Sequence, residues 1–170
     1  GYHGTTLQNA YAIVREGFHR KSIGDRHWLG DGYYFFESSE GWARWWTRQW
    51  TPPRESAVVR AEIWVARENV LDVLDYDDME LFHAGRTKII QELRSRRKRV
   101  WIQKPFDGYV LNVLCNTKGF RLVRAAFPEP DDHRDRSVKR NESRIRRIHV
   151  QLCCRDRECI RNLSIVDTIA

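Results

Sequence analysis

The sequence predicts an α+β fold: two packed, mainly antiparallel sheets flanked by short helices. Three observations point there. Short stretches with strand character, roughly six to eight of them, recur from one end of the chain to the other. Helical periodicity is concentrated in the first half and the middle. Glycine turns and proline stops stand between them, at Gly17, at Gly30-Asp31-Gly32 and at Pro52-Pro53. With 170 residues, 41% of them hydrophobic, the chain can bury one real core and is too short for two comfortable ones. Residues 1–170 are therefore expected to form a single domain.

The elements follow in order. Tyr2 to Thr5 reads as a short strand leading into a helix. Thr5 and Gln8 stand at capping-box spacing, Leu7, Ala10, Tyr11 and Val14 recur at helical spacing, and Gly17 supplies the stop. Lys21 to His27 is polar and reads as a loop. Trp28-Leu29-Gly30-Asp31-Gly32 then bends the chain into Tyr33-Tyr34-Phe35-Phe36, an aromatic run suited to a strand buried on both faces. Ser38 or Ser39 caps a second helix whose face is Trp42, Trp45, Trp46 and Trp50. Such crowding invites base stacking. Helical spacing, however, marks a core-facing stripe, and stacking platforms usually lie on exposed sheets or in grooves, so a core role is expected.

Ala57 to Val65 is the clearest strand, with Val59, Ala61, Ile63 and Val65 on one face and Arg60, Glu62 and Trp64 on the other. Asn69 to Val73 is a shorter candidate. A helix is expected from Met79 to His83 and another from Thr87 to Arg99. Gly108 to Leu114 and Arg121 to Phe127 read as strands, followed by a charged stretch from Asp131 to Arg140. Arg147 to Cys154 alternates like a strand, and Cys159 to Val166 closes the chain.

Cys115, Cys153, Cys154 and Cys159 show neither a C-x-x-C pair nor the spread of a disulfide framework, so buried free thiols in a reducing compartment are expected. A metal site from Cys153, Cys159 and His149 lacks the usual ligand spacing, and no metal is expected. No apolar run approaches the roughly 20 residues that cross a bilayer. The start of the chain lacks the layout of a signal peptide, so a cytoplasmic protein without membrane partners is expected. The first residue is Gly, already inside a predicted strand, as in a piece of a longer protein. Thirty Lys and Arg against 23 Asp and Glu give a net charge of +7, which permits attraction to nucleic acid or to an acidic protein. The densest basic run is Arg94, Arg96, Arg97, Lys98 and Arg99. It reads either as a solvated helix end that complements the dipole or as a grip on a phosphate backbone.

The first 46 residues carry a resemblance. Tyr2-His3-Gly4-Thr5 resembles the first-strand histidine motif of the ADP-ribosyltransferase superfamily, in the branch of poly(ADP-ribose) polymerases, diphtheria-toxin-like enzymes and small bacterial relatives. Ile13 with Gly17-Phe18 is similar to the end of that family's first helix. Gly30-x-Gly32-Tyr33-Tyr34-Phe35, followed by Ser38 and Ala43, is similar to its glycine-tyrosine segment. Order and spacing agree as well as the letters, and beyond residue 46 the likeness is one of outline.

The resemblance implies an ADP-ribosyltransferase fold and NAD as co-substrate. Breaking the bond between nicotinamide and ribose passes through an oxocarbenium-like state, so the protein must hold the dinucleotide, grip the leaving group and stabilise positive charge on the sugar. The family pattern then has His3 bonding a ribose hydroxyl of the adenosine half, the Gly4 backbone holding the nicotinamide amide, and Tyr34 stacking on the nicotinamide ring. Thr5, Tyr33 and Ser38 would line the same pocket. The third member of the family triad is usually a glutamate on a late strand, where this chain has Gln151; Glu142 and Glu158 are less well placed. Glutamine carries no negative charge. The expectation is thus a mono-ADP-ribosyltransferase with His3, Tyr34 and Gln151 as its triad. The alternative is an inactive module that binds NAD, a nucleic acid or a protein. An RNA 2′-phosphotransferase would want several arginines and a second histidine around the pocket; Arg26 and His27 lie near, but the tyrosine pair argues against it. The acceptor is expected to be RNA, DNA or protein, nucleic acid being favoured over an acidic protein surface, and a toxin of this type would have an antitoxin or a neighbouring domain as partner.

Overall fold

A computed structural model describes residues 1–24, 27–95, 106–128 and 147–166. Seven strands form one mixed sheet: β1 (Tyr2–Thr6), β2 (Tyr33–Phe36), β3 (Ser56–Ile63), β4 (Val70–Asp72), β5 (Leu122–Pro128), β6 (Ile148–Cys154) and β7 (Ile160–Ile165). Their spatial order is β4-β5-β6-β2-β1-β3-β7. β4 runs parallel to β5, and the other neighbours are antiparallel. Four helices complete the α+β architecture: α1 (Leu7–Glu16), α2 (Glu40–Arg48), α3 (Tyr76–Ser95) and α4 (Asp107–Lys118).

Strand alternation distributes the helices over both faces. Ala57 and Val59 of β3 pack on Ala10 of α1, whereas Val58 between them packs with Phe36 on Ala43 of α2. Val123, Ala125 and Cys153 share the face of α2 and meet α3 and α4 through Phe82, Val110, Leu111 and Leu114. On the α1 face, Phe35, Leu152 and Cys154 close around Phe18. The aromatic run of β2 is thus covered on both sides.

Several expectations change. The two packed sheets are one sheet, because β2 pairs β6 from Tyr33↔Cys154 to Phe36↔Gln151 while Tyr2↔Phe36 joins β2 to β1. Gly108 to Leu114 is not a strand but most of α4: Val110, Leu111, Leu114 and Cys115 are buried at helical spacing, and packing on the sheet overrides the strand-like letters. The two helices expected after Asp78 are one, α3, with Gly85 set against Leu114 of α4. Thr6, not Thr5, caps α1 by accepting the Asn9 N–H at 3.2 Å, and Ser39 caps α2 by accepting the Trp42 N–H at 3.4 Å. The four cysteines are buried free thiols, and burial pushes Cys153 up to about 12. Among the described residues no helix is long and apolar enough to cross a membrane, and no cluster of His, Cys, Asp or Glu is placed to hold a metal ion.

Candidate functional site

The sheet forks between β1 and β2. β1 pairs β3 along its whole length, from Tyr2↔Arg60 to Thr6↔Ser56, but among the described residues it meets β2 at Tyr2↔Phe36 alone. Beyond that pair the strands part around a cavity of about 220 Å³. The His3 ring sits in the fork. Its Nδ1 lies 2.8 Å from the Tyr34 carbonyl oxygen, and Phe18 and Phe35 meet the ring edge-on at 5.1 and 5.9 Å. A side chain therefore occupies the place where a ladder bond between the strands would stand.

α2 forms one wall. A Cβ on Gly4 would stand 2.2 Å from the Ala43 carbonyl oxygen, so the bare Cα of Gly4 admits the helix backbone against β1. The Thr47 hydroxyl donates to the Thr5 carbonyl at 3.1 Å and latches the helix there. The residues that α2 buries are Ala43 and Thr47. The tryptophans form only part of the core stripe that their spacing suggested: Trp42 and Trp46 are half-buried and pack beside Val58, Trp50 past the end of α2 is exposed, and Trp46 and Trp50 line the cavity.

The loop before β2 forms the opposite wall. The Tyr34 hydroxyl donates to the Gly30 carbonyl at 2.7 Å and accepts the Leu29 N–H at 3.1 Å. Gly30 has φ +82°, a conformation that favours glycine, and this turn aims Trp28 inward. Trp28 Nε1–H donates to Gln151 Oε1 at 2.9 Å, while its ring meets Trp46 edge-on at 5.8 Å and Tyr34 at 6.1 Å. Because indole N–H is a donor only, Gln151 Oε1 is the acceptor, and Gln151 Nε2 donates to His149 Nε2 at 2.9 Å.

The titratable side chains that line the cleft are His3, His27 and Tyr34. Among the described residues no Asp, Glu, Lys or Arg lines it. Burial lowers the His3 pKa, opposed by the bond to Tyr34, so the imidazole is neutral. The Tyr34 carbonyl can only accept, which puts the proton on Nδ1 and leaves Nε2 as an acceptor. Burial raises the Tyr34 phenol, which stays protonated. Such a site can stack a planar ring and exchange neutral hydrogen bonds with a ligand; it offers no carboxylate for acid–base work.

Of the residues that the sequence singled out, His3, Gly4, Thr5, Tyr34 and Gln151 line this cleft together. Tyr33 does not: one step along β2 it faces the other side of the sheet, 5.4 Å from the Phe18 ring. Ser38 is exposed in the turn after β2 at φ 52°, and the Ser at the cap is Ser39. Arg94 is exposed at the end of α3 and does not line the cleft. Arg96, Arg97, Lys98, Arg99 and Glu142 lie outside the described residues. Glu158 stands in the turn Arg157–Cys159, 3.5 Å from Arg121, and does not line the cleft. Sequence reasoning missed Trp28, Trp46 and Trp50 as cleft walls; the crowding of tryptophans beside the glycine turn was the available signal.

No family model matches the chain. It is 27% identical over 186 residues to an uncharacterized protein of Methanocaldococcus jannaschii, and the alignment covers 98% of this chain and 86% of that one. No solved structure matches it.

Proposed function

We propose that this protein has an ADP-ribosyltransferase fold and is an NAD-dependent mono-ADP-ribosyltransferase. The observation that supports the reading is the convergence of His3, Tyr34 and Gln151 on one aromatic-walled cleft at the fork of the sheet. At 220 Å³ that cleft is smaller than the roughly 300–1,000 Å³ of a typical small-molecule pocket, so it takes only part of the dinucleotide. The nicotinamide ring stacks on Tyr34, whose hydroxyl is already committed to the loop and leaves the ring face as its contact. His3 Nε2 accepts a bond from a ribose hydroxyl.

In the transfer, the bond between the nicotinamide nitrogen and the ribose carbon breaks, and its electron pair leaves with nicotinamide. An acceptor nucleophile bonds to the same carbon and gives up its proton to solvent water. Positive charge on the sugar is met by Gln151 Oε1, which accepts from Trp28 with one lone pair and has a second. A neutral amide stabilises that charge less than a carboxylate, consistent with single transfers rather than polymer growth. The net charge of +7 suits an acidic protein surface as well as RNA or DNA; nucleic acid, the denser polyanion, is the acceptor favoured here.

The second reading is an inactive NAD-binding module. It is favoured by the amide of Gln151, engaged at both ends, and by the lack of a carboxylate among the described cleft residues. Incubation with labelled NAD and total cellular RNA, DNA and protein separates the two. A transferase moves label to one class of macromolecule and loses that activity in His3→Ala and Gln151→Ala. NAD binding without transfer or nicotinamide release leaves the module, and absence of binding by folded protein removes both.

A further inference from the structure

Residues 21–23 and β2 form a thin wall, tied at Ser22↔Gly32 by two hydrogen bonds of 2.9 Å. Side chains alternate across extended backbone. Ser22 and Tyr34 face the cleft, whereas Lys21, Ile23 and Tyr33 face a second cavity of about 480 Å³. Arg20 joins Lys21 in lining it, together with Arg155 and Arg157 just past β6. The carboxylate that lines this groove, Asp156, is ion-paired with Arg121. Arg155 is held by the amide oxygens of Asn112 and Asn116 on α4, at 2.8 and 3.3 Å, and the Asp31 carboxylate interacts electrostatically with both Arg155 and Lys21. Tyr33 is half-buried beneath, braced by Phe18, and Ile23 is 67% exposed.

We infer that this groove binds the phosphodiester backbone of a single-stranded nucleic acid, with Arg20, Lys21, Arg155 and Arg157 on phosphate oxygens and Tyr33 under a base. Three of the four cations are arginines, whose planar fork matches phosphate oxygens pairwise. Cations flanking an accessible aromatic ring are the arrangement that holds single strands, and an acidic peptide would use the charges but not the ring. The inference does not depend on what fills the cleft.

The test is fluorescence anisotropy of the full chain with a labelled single-stranded RNA of about ten nucleotides, without NAD, across a salt series. Affinity is expected to fall with salt, by about 0.7 in log–log slope per phosphate neutralised. Arg20→Gln/Lys21→Gln/Arg157→Gln spares the Arg155 bonds to α4. It should weaken binding at least about tenfold and flatten the slope by about two. Tyr33→Leu should weaken binding a few-fold at unchanged slope. Lys88→Gln on α3 should change neither. Wild-type binding by the triple variant, or equal loss in Lys88→Gln, overturns the assignment. So does equal displacement of the RNA by poly-glutamate. Displacement by inorganic pyrophosphate at matched phosphate assigns the groove to small phosphates and overturns the strand.

Discussion

On the cleft side of the wall, Tyr34, Gln151 and His3 present neutral polar atoms whose partners lie inside the protein. On the groove side, Arg20, Lys21 and Arg157 present exposed charges. The first surface works through geometry: each hydrogen bond holds a ring in place, and low dielectric strengthens it. The second works through a field that water and salt screen. One strand register separates the two, because residues 33 and 34 must point to opposite faces. Substitutions in the cleft should therefore cost stability, while those in the groove cost salt-dependent binding.

The largest effect that would test this contrast is at Gly4. An added methyl at 2.2 Å from the Ala43 carbonyl meets backbone, so α2 must shift, and overpacking of this kind costs about 3 kcal/mol or more. Denaturant unfolding of Gly4→Ala should show that loss, while the groove triple variant unfolds at the wild-type midpoint. A wild-type midpoint for Gly4→Ala would mean that α2 does not rest on β1.

Trp28→Phe is next. It keeps a ring but removes the N–H from the buried oxygen of Gln151, which costs about 1–3 kcal/mol. Cleft ligand binding should fall while RNA binding stays. Loss of both together would show that the wall is one cooperative unit.

The smallest effect is a pH dependence. The His3 pKa is lowered below the ordinary 6.5 by burial, and the ring faces Phe18, Phe35 and a backbone carbonyl. Below pH 6.5 the unfolded chain therefore binds a proton that the folded chain refuses, so stability is full above that value and declines as pH falls toward the folded pKa. The melting temperature of His3→Gln should be less sensitive to pH over that window, and an unchanged slope would place the titrating group elsewhere.

Much of the cleft is legible in the sequence. His3, Gly4 and Thr5 at a strand start, and Tyr34 after a glycine turn, reach the cleft because alternation and turn chemistry act over a few residues. Tyr33 misleads for the same reason in reverse: two adjacent tyrosines look equivalent as letters, and strand pleat separates them. Gly4 lines the cleft as its strand position suggests, but that its missing Cβ also admits Ala43 of α2 is not legible in the letters. The stretch from Gly108 to Leu114 has strand-like letters, and contact with the sheet makes it a helix.

The chain's own letters determined the local parts: the glycine turn at 30–32, the serine cap of α2, the alternation of β3 and the excess of positive charge. These depend on interactions between residues a few positions apart, which the backbone enforces whatever surrounds it. Tertiary structure alone decided that Trp28 meets Gln151, 123 positions away, and that Arg20, Tyr33 and Arg155 line one groove. Strand order is set by which apolar faces bury one another, and many pairings satisfy the same alternation. The fork between β1 and β2, and with it the separation of an aromatic-walled cleft from a charged groove, exists only once that order is chosen.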